Sequence, residues 1–310
     1  MVRVGRGGVI AGVDYAAGID LGASRIKIVA VNANGETLRS ETKETIDDGS
    51  APWAGAITRI LDDWRGALGT APSAIGLAAP GLAARNARSI AWMPGRMQRL
   101  EGLNWTEALG GGVVRVLNDG HAALLGEAWR GAARGARNAV MLTLGTGVGG
   151  AAMCDGRLLR GTIGRAGHVG HMSLDPNGPP DITGTPGSLE DAIGNCTLEA
   201  RSDGRFKDTQ EMLAAAQHGD EEAGRIWARS IHVLGAGIVS LINLFDPEIV
   251  VLGGGVAKSG EELFGPLRGY VDRHEWRPGG HAVKLAPAEL GENAGALGAA
   301  RYAMTFGDDV

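Results

Sequence analysis

Residues 140–150 read Val-Met-Leu-Thr-Leu-Gly-Thr-Gly-Val-Gly-Gly, an apolar run that ends in glycines. Gly145, Gly147 and Gly150 match the spacing of the dinucleotide-binding fingerprint, but that fingerprint requires a helix directly after the glycines. The chain continues instead through another apolar run to the Asp-Gly pair at 155–156, which favours a tight hairpin turn. The glycines are therefore predicted to lie in a turn between two strands, where their backbone N–H groups can approach an anion.

A second copy of this layout occurs near the start of the chain, where residues 18–22 read Gly-Ile-Asp-Leu-Gly. Residues 18–22 are predicted to form a buried strand and residues 25–32 the returning strand. When the Asp-Leu-Gly at 20–22 is placed on the Thr-Leu-Gly at 143–145, the two hairpins come into near register. Two copies of one pattern indicate two related halves, each with a loop suited to a phosphate. Two such loops facing each other across a cleft would hold a nucleoside triphosphate.

The composition is that of a large, slightly acidic globular chain. A length of 310 residues makes two domains the natural expectation. The net charge is −5 and there is no basic run, so we expect no nucleic acid partner. Cys154 and Cys196 are the only cysteines, too few for a disulfide framework or a four-cysteine metal site, so a reducing cytoplasm is expected. No segment is interpreted as a signal peptide or a membrane span, so no membrane association is expected.

Strands alternate with helices along most of the chain, which favours the α/β class. The spacing of apolar residues predicts a helical region after residue 208 and helices over 53–68, 120–130 and 293–304. Short apolar runs predict strands over 74–79, 113–117 and 249–252. The segments expected to lack regular structure are 85–104, 161–190 and a loose extension over 1–16. The P-loop pattern GxxxxGKS/T does not occur, which excludes that class of nucleotide-binding enzyme.

Three polar residues have a functional and a structural interpretation. Asp119 follows a buried strand directly after Asn118, and such a pair is more often a helix N-cap than a catalytic base. As a base, Asp119 could accept the proton of an alcohol that attacks phosphorus. Asp20 lies inside an apolar strand, where an unpaired carboxylate is costly, so a partner or a ligand is expected. His171 by itself is more often a hydrogen-bonded loop residue than a ligand-binding one.

Taken together, the motifs resemble the ROK family, the sugar kinases and related repressors of the actin/hexokinase/Hsp70-like superfamily. They occur in the family's order and extend over nearly the whole chain from residue 18 to residue 302. The matching segments are DLGASRIK (20–27), APG (79–81), NDGHA (118–122), LTLGTGVGG (142–150), GHVGHM (167–172), GSLE (187–190) and LGGGV (252–256).

The resemblance implies an architecture and an activity. The fold class is then α/β, with two actin-like (ribonuclease H-like) domains around a nucleotide and sugar cleft. The small domain would comprise residues 1–118 plus 299–310, and the large domain residues 119–298. The activity would be ATP- and Mg²⁺-dependent phosphorylation of a hexose at its 6-hydroxyl, in a cytoplasmic homodimer.

The resemblance also implies roles for individual residues. Asp119 matches the catalytic base that accepts the proton of the sugar hydroxyl. Asp20 matches a residue near the magnesium ion, reached through a water molecule. The positions that match sugar contacts are Asn118, His168, His171 and Glu190. The positions that match contacts to the nucleotide are Asp20, Gly22, Lys27, Thr146, Gly147, Gly254 and Gly255.

The chain departs from the family pattern at a metal site. Many family members have a structural zinc site that combines a histidine with three cysteines. Here the cysteine positions hold Asp181, Thr183 and Ser188, so His171 alone cannot bind zinc and we predict no zinc. The rigidity of this loop must then have another source, for which the prolines at 179, 180 and 186 are candidates.

The chain also departs from the family at two sugar-pocket positions. His168 replaces a glutamate that is common in the family, and Gly95 replaces an asparagine that contacts sugar. These changes bring glucose specificity into question and leave room for a related or larger sugar, such as an N-acetylhexosamine.

Three alternatives to an ATP-dependent hexose kinase remain open at this point. A sugar-responsive repressor of this family would carry a winged-helix domain before the first phosphate loop, and about sixteen residues are too few for one. A non-catalytic sugar sensor would fit the altered pocket but not the retained Asp119 and Lys27. Polyphosphate could also replace ATP as the phosphate donor.

Overall fold

The structure is a computed structural model that describes residues 13–306, a mixture of strands and helices. The expected loose extension lies outside the described residues up to residue 12, and Ala16 already belongs to the first strand. The strands are β1 (Ala16–Leu21), β2 (Arg25–Val31), β3 (Thr37–Glu44), β4 (Ala74–Ala79), β5 (Leu82–Ala83), β6 (Ile90–Trp92), β7 (Val114–Asn118), β8 (Ala139–Leu144), β9 (Val148–Cys154), β10 (Arg157–Leu158), β11 (Ile249–Gly253) and β12 (Lys284–Pro287). The helices are α1 (Trp53–Leu68), α2 (Trp105–Ala108), α3 (Asp119–Arg130), α4 (Leu189–Ile193), α5 (Leu198–Arg201), α6 (Thr209–Gln217), α7 (Glu221–Phe245), α8 (Glu261–His274) and α9 (Ala294–Thr305).

The chain divides into two compact units. The first contains the described residues up to Ala122 together with those from Gly295 onward, and the second runs from Ala123 to Ala294. The boundaries expected from the sequence, after residues 118 and 298, lie four residues from these bounds at 122 and 294. The expected domain boundaries stay a prediction.

Each unit is built on a five-stranded sheet, and the two sheets have the same topology. The first has the order β3-β2-β1-β4-β7 and the second β10-β9-β8-β11-β12. In each sheet the first three strands along the chain are antiparallel, and two later strands add in parallel. The internal repeat and both predicted hairpins are therefore confirmed, and so is the α/β class.

Helix α1 has the bounds predicted from its apolar spacing. Residues one turn apart face the core of the first unit, with Trp53, Ile57 and Trp64 at most 4% exposed. The helix ends at Gly69, which has φ 76° and donates its N–H to the carbonyl of Arg65. Glycine adopts this left-handed conformation without steric cost, which is why the helix stops there.

Helix α7 is the central helix of the second unit. Asp220 caps its start by accepting a hydrogen bond from the Ala223 N–H, and its apolar face packs in the unit's main hydrophobic cluster. By length and composition α7 could also cross a membrane, although no membrane span was predicted from the sequence. It is the one such helix among residues 13–306, and the core helix of a globular domain can have the same length and apolar composition.

Several elements were not predicted from the sequence. Helix α8 was missed because Gly265, Pro266 and Gly269 interrupt its apolar pattern, yet Leu263 and Leu267 are fully buried. The short helices α4 and α5 and the edge strand β12 have too few residues for a periodic signal. The segment 85–104, expected to lack regular structure, contains β6, which pairs with β5. The segment 161–190, expected to lack regular structure, is a loop with one 3-10 turn up to residue 188, and its last two residues begin α4.

The backbone of α9 lies directly on the first sheet. A Cβ atom on Gly18 would lie 1.9 Å from the Ala296 carbonyl oxygen, and one on Gly76 would lie 1.8 Å from the Ala299 carbonyl oxygen. Neither distance is compatible with a side chain, so β1 and β4 require glycine where the helix crosses them.

We therefore predict that Gly76→Ala lowers the free energy of unfolding by about 3 kcal/mol, because the added methyl group overpacks the contact between β4 and α9. Gly66→Ala is the matched control, since no atom lies within 4 Å of a Cβ at this exposed position of α1. The control should raise the free energy of unfolding by about 0.5–1 kcal/mol through helix propensity. Urea unfolding of both variants measures the difference. Equal effects of the two substitutions would contradict the close contact.

Candidate functional site

Asp20 is a half-buried residue in the central strand of the first sheet, and its carboxyl group is largely shielded from water. It lies opposite Lys27 in the register of β1 and β2. The pKa of Asp20 is raised to about 7, mainly by burial and also by the nearby charge of Asp119, while Lys27 acts in the opposite direction. A Cβ on Gly295, in the first turn of α9, would lie 2.6 Å from Asp20 Oδ2, so this glycine makes room for the carboxylate. The structure thus brings together Asp20, Lys27 and Asp119, as the sequence predicted for one site.

Asn118 and Asp119 form the start of α3, and the structure separates their roles. The N-cap is Asn118, whose Oδ1 accepts a hydrogen bond of 3.2 Å from the His121 N–H. Its amide nitrogen donates to the Gly81 carbonyl at 3.0 Å and to Asp119 Oδ1 at 2.9 Å. Asp119 Oδ1 also accepts from the Gly120 N–H at 2.8 Å, so the Asp119 carboxylate is held in one orientation.

The alternative to Asp119 as a base was Asp119 as the N-cap of α3. Because Asn118 is the N-cap, that alternative no longer applies. Both amide hydrogens of Asn118 are used within the first unit, so Asn118 positions Asp119 in addition to any contact with a sugar. The predicted sugar contact of Asn118 stays a prediction.

Gly22 begins the turn between β1 and β2. Its N–H donates to the Arg25 carbonyl at 3.0 Å, and its carbonyl accepts a hydrogen bond of 2.6 Å from Thr45 Oγ1. The Thr45 N–H donates to the Ser24 carbonyl at 3.0 Å, so Thr45 holds this turn at two points. Sequence reasoning missed Thr45, because its position after β3 carries no motif.

The second glycine turn joins β8 to β9 and is held through its carbonyl groups. The Gly145 and Thr146 carbonyls accept hydrogen bonds from the N–H groups of Asn195 at 3.0 Å and Cys196 at 2.8 Å. Within residues 13–306, the N–H groups of Thr146 and Gly147 donate no hydrogen bond. Adjacent backbone N–H groups in a turn form a concave site for an anion, as the sequence predicted for this loop.

Glu190 is placed beside this turn by α4. Its Oε2 accepts a hydrogen bond of 2.8 Å from the Val148 N–H, and a Cβ on Gly147 would lie 2.2 Å from the same oxygen. A side chain at position 147 would therefore displace the Glu190 carboxylate. One carboxylate oxygen of Glu190 is occupied by the turn, and its predicted sugar contact stays a prediction.

Gly254 and Gly255 follow β11 and lie next to the second glycine turn. Gly254 has φ 89°, and a Cβ there would lie 2.3 Å from the Leu144 carbonyl oxygen at the end of β8. The two loops that the sequence assigned to phosphate and to adenosine are thus neighbours in the second unit.

His171 lies in the 3-10 turn and is bound to a residue that the sequence analysis did not assign to the site. Its Nδ1 lies 2.8 Å from Asp181 Oδ2, and the Asp181 side chain is fully buried. Asp181, together with a bridge between Pro180 and Pro186, holds the loop that was expected to be stiffened by prolines. His168 is placed separately, with its Nδ1 3.1 Å from the Arg165 carbonyl. A signal for Asp181 existed in the sequence, because it occupies a cysteine position of the zinc-binding pattern.

At the three positions where the zinc-binding pattern has cysteine thiolates, this loop has the side-chain oxygens of Asp181, Thr183 and Ser188. In the described part of the chain, the group of three potential ligands within 4.8 Å of one another is Glu190, Asp191 and Cys196, which does not include His171. The absence of zinc stays a prediction.

Comparison with known proteins gives consistent results over nearly the whole chain. A family model described as "ROK family" matches residues 16–305. The glucokinase of Thermotoga maritima is 32% identical over 309 aligned residues, which cover 91% of this chain and 95% of that protein. The crystal structure of the ROK hexokinase from Thermus thermophilus matches with a TM-score of 0.83 at 33% identity, covering 96% of this chain and 100% of that one. A ROK family glucokinase from Streptomyces griseus, in complex with glucose and AMPPNP, matches with a TM-score of 0.73 at 26% identity, covering 94% and 99% of the two chains. These likenesses confirm the actin-like α/β fold.

The raised pKa of Asp20 predicts a dependence of stability on pH. A carboxyl group whose pKa is higher in the folded state favours folding below its ordinary pKa and loses that contribution as pH rises towards 7. The rise from 3.8 to about 7 corresponds to about 4 kcal/mol as an upper value, at about 1.4 kcal/mol per pKa unit.

Asp20→Asn removes the ionisable group and keeps its shape. In buffer with a chelator, the variant should match the wild type near pH 4 and become more stable than it between pH 4 and pH 8. Thermal unfolding across this range measures the difference, and all other titrating groups cancel in the comparison. A difference that does not change with pH would contradict the assignment.

Proposed function

The chain belongs to the ROK family, and on that premise we propose that it is a hexose kinase that transfers the γ-phosphoryl group of ATP to a sugar hydroxyl. The observation that carries the proposal is the orientation of the Asp119 carboxylate at the start of α3 by Asn118 and the Gly120 N–H. An alcohol is a weak nucleophile until its proton is removed, and a fixed carboxylate is the group that removes it.

The reaction follows from this placement. As the sugar oxygen attacks the γ-phosphorus, its proton passes to the Asp119 carboxylate, the bond between phosphorus and the β,γ-bridging oxygen breaks, and ADP leaves. Phosphoryl transfer depends mainly on positioning and on the neutralisation of charge. We assign the phosphate contacts to the N–H groups of Thr146 and Gly147 and to Lys27, because backbone N–H groups and a lysine are what phosphate oxygens bind. Gly22, whose own N–H donates to the Arg25 carbonyl, is assigned to the nucleotide site as the start of the first glycine turn.

The adenosine side of the nucleotide is assigned to the turn at Gly254 and Gly255. Support for this comes from the contact between Gly254 and the end of β8, which places the turn beside the phosphate loop. ATP would then lie along one edge of the second sheet.

Mg²⁺ is the metal that the site fits. A hard divalent cation binds carboxylate and water oxygens, and the carboxylate of Asp20 lies near a second one at Asp119. We assign Asp20 to Mg²⁺ through a water molecule. When bound, Mg²⁺ would neutralise charge on the phosphates, and it would also favour the ionised form of Asp20.

The sugar contacts that we assign are Asn118, His168, His171 and Glu190, with the 6-hydroxyl as the acceptor of the phosphoryl group. A second candidate substrate is an N-acetylhexosamine. Support for it comes from position 95, where glycine replaces the asparagine of the family and no described atom lies within 4 Å of a Cβ. An N-acetyl group could occupy space that an asparagine side chain would fill.

We further propose a cytoplasmic homodimer without nucleic acid or membrane partners, in keeping with the acidic charge of the chain. Light scattering after size-exclusion chromatography would measure the mass. Polyphosphate as donor and a sensor without turnover are the remaining alternatives, and the following assays separate them from an ATP-dependent kinase.

Asp119→Asn should lower kcat by about 10³-fold, because the amide cannot accept the proton of the sugar hydroxyl. ADP release is measured with Mg·ATP and with glucose, mannose, N-acetylglucosamine and N-acetylmannosamine in turn. Binding of ATP, measured by calorimetry, should be unchanged. Turnover that survives in the variant would contradict Asp119 as the base, and turnover with polyphosphate alone would contradict ATP as the donor.

His168→Glu restores the carboxylate that is common in the family. We expect it to raise kcat/KM for glucose by about tenfold relative to N-acetylated sugars, since a carboxylate accepts sugar hydroxyl hydrogen bonds more strongly than an imidazole. The ratio of kcat/KM for the two sugars measures the effect. An unchanged ratio would remove His168 from the sugar pocket.

A further inference from the structure

The carboxylate of Asp181 accepts hydrogen bonds from several groups of the loop between β10 and α4. Its Oδ1 accepts three hydrogen bonds, from the Thr183 N–H at 2.8 Å, the Thr183 hydroxyl at 2.8 Å and the Thr185 N–H at 2.9 Å. Its Oδ2 lies 2.8 Å from His171 Nδ1. The side chain of Asp181 has no exposed surface, whereas that of His171 is 31% exposed. Both oxygens of a buried carboxylate are therefore satisfied, and the histidine is the partner that reaches solvent.

The protonation of this pair follows from the number of donors. Burial opposes ionisation of Asp181, but hydrogen bonds from His171, Thr183 and Thr185 outweigh it and hold the pKa of Asp181 well below its usual range. An ionised carboxylate can only accept hydrogen bonds, so Nδ1 of His171 carries the proton. Within residues 13–306, Nε2 of His171 makes no hydrogen bond.

We propose that Asp181 is a positioning residue that fixes the tautomer of His171, so that the neutral ring presents Nε2 as a hydrogen-bond acceptor to a sugar hydroxyl. The proposal deepens the proposed function and rests on it for the identity of the ligand. The tautomer itself depends only on the contacts of Asp181.

The same carboxylate connects His171 to α4. The loop closes through the Leu174 N–H, which donates to the Gly187 carbonyl at 2.9 Å, and the Leu189 N–H, which donates to the Met172 carbonyl at 3.0 Å. Helix α4 then places Glu190 against the second glycine turn. Asp181 thus fixes His171 within the same hydrogen-bonded segment that places Glu190 against the second glycine turn.

An acceptor at Nε2 selects sugars that have a hydroxyl donor facing it. A site built to bind a hydroxyl group discriminates strongly against the analogue that lacks it, because the polar atom of the protein is left unpaired. A deoxy or O-methyl sugar altered at that position should therefore be a poor substrate.

Asp181→Asn changes the tautomer of His171 and keeps the hydrogen bonds from Thr183 and Thr185 that hold the loop. The asparagine carbonyl must face the two N–H groups of Thr183 and Thr185, because the amide nitrogen cannot accept from them. Its NH₂ group then faces His171 Nδ1 and donates to it, which moves the ring proton to Nε2. Thr183→Val is the matched control, since it removes one donor to Oδ1 and leaves the contact with His171 intact.

The tautomer is measured by two-bond ¹H–¹⁵N correlation spectra of the histidine side chains at a pH where the ring is neutral. The His171 signal is assigned by its loss in His171→Gln. We expect Nδ1 to be protonated in the wild type and in Thr183→Val, and Nε2 to be protonated in Asp181→Asn. The wild-type spectrum decides the first point without any variant that must fold.

Steady-state kinetics test the consequence for the sugar. Asp181→Asn should raise KM for the sugar about tenfold, the effect of one hydrogen bond, with kcat and KM for ATP within about twofold of the wild type. Thr183→Val should leave KM for the sugar within about twofold.

Four results would overturn the proposal or part of it. Protonation of Nε2 in the wild type would overturn the tautomer, and an unchanged tautomer in Asp181→Asn would overturn the positioning role. A changed tautomer without a change in KM would overturn the contact with the sugar. Failure of the wild type to phosphorylate any sugar would overturn the proposed function and the sugar contact, while the spectra would still decide the role of Asp181.

Discussion

The contact between the backbone of α9 and strands β1 and β4 is the constraint on which the first unit depends. Gly18 and Gly76 have no side chains because the carbonyls of α9 occupy that space. The same approach brings the start of α9, at Gly295, against the carboxylate of Asp20. A helix N-terminus favours a negative charge nearby, so this packing gives Asp20 a favourable neighbour in an otherwise apolar strand. Fold and site are thus set by one close contact.

The two sheets share a topology but carry different chemistry at matched positions. Asp20 in β1 corresponds to Thr143 in β8, and their partners across the hairpin are Lys27 and Gly149. The first sheet therefore offers charged side chains, and the second offers backbone N–H groups at a glycine turn. Phosphoryl transfer needs both kinds of group, a base with its counter-charges and a cradle for the phosphates. The repeat supplies equivalent loops whose side chains have become different.

Carboxylates hold the loops of the second unit together. Glu127 is fully buried and accepts hydrogen bonds from the N–H groups of Ala132 at 2.8 Å and Leu290 at 2.9 Å. Glu190 holds the glycine turn through Val148, and Asp181 holds His171. A carboxylate that accepts several N–H groups can organise irregular backbone that has no strand or helix partners. In the sequence Glu127 looks like an ordinary surface charge, whereas Glu190 lies in a family motif and Asp181 occupies a cysteine position of the zinc-binding pattern. The N–H groups that each carboxylate accepts are set by the tertiary structure.

The sequence by itself determined the elements whose signal is local. The hairpin glycines, the apolar periodicity of α1 with its exact bounds and the repeat of two sheets could all be predicted, because turns and amphipathic spacing depend on neighbouring residues. The motifs also predicted Asp20 and Asp119 for one site, and the structure places the two carboxyl groups near enough to interact electrostatically. Only the tertiary structure decided that Asn118 rather than Asp119 caps α3, that Gly147 makes room for Glu190, and that Asp181 holds His171. Each of these depends on residues that are brought together by packing, and the pattern of a single chain segment does not record its distant neighbours.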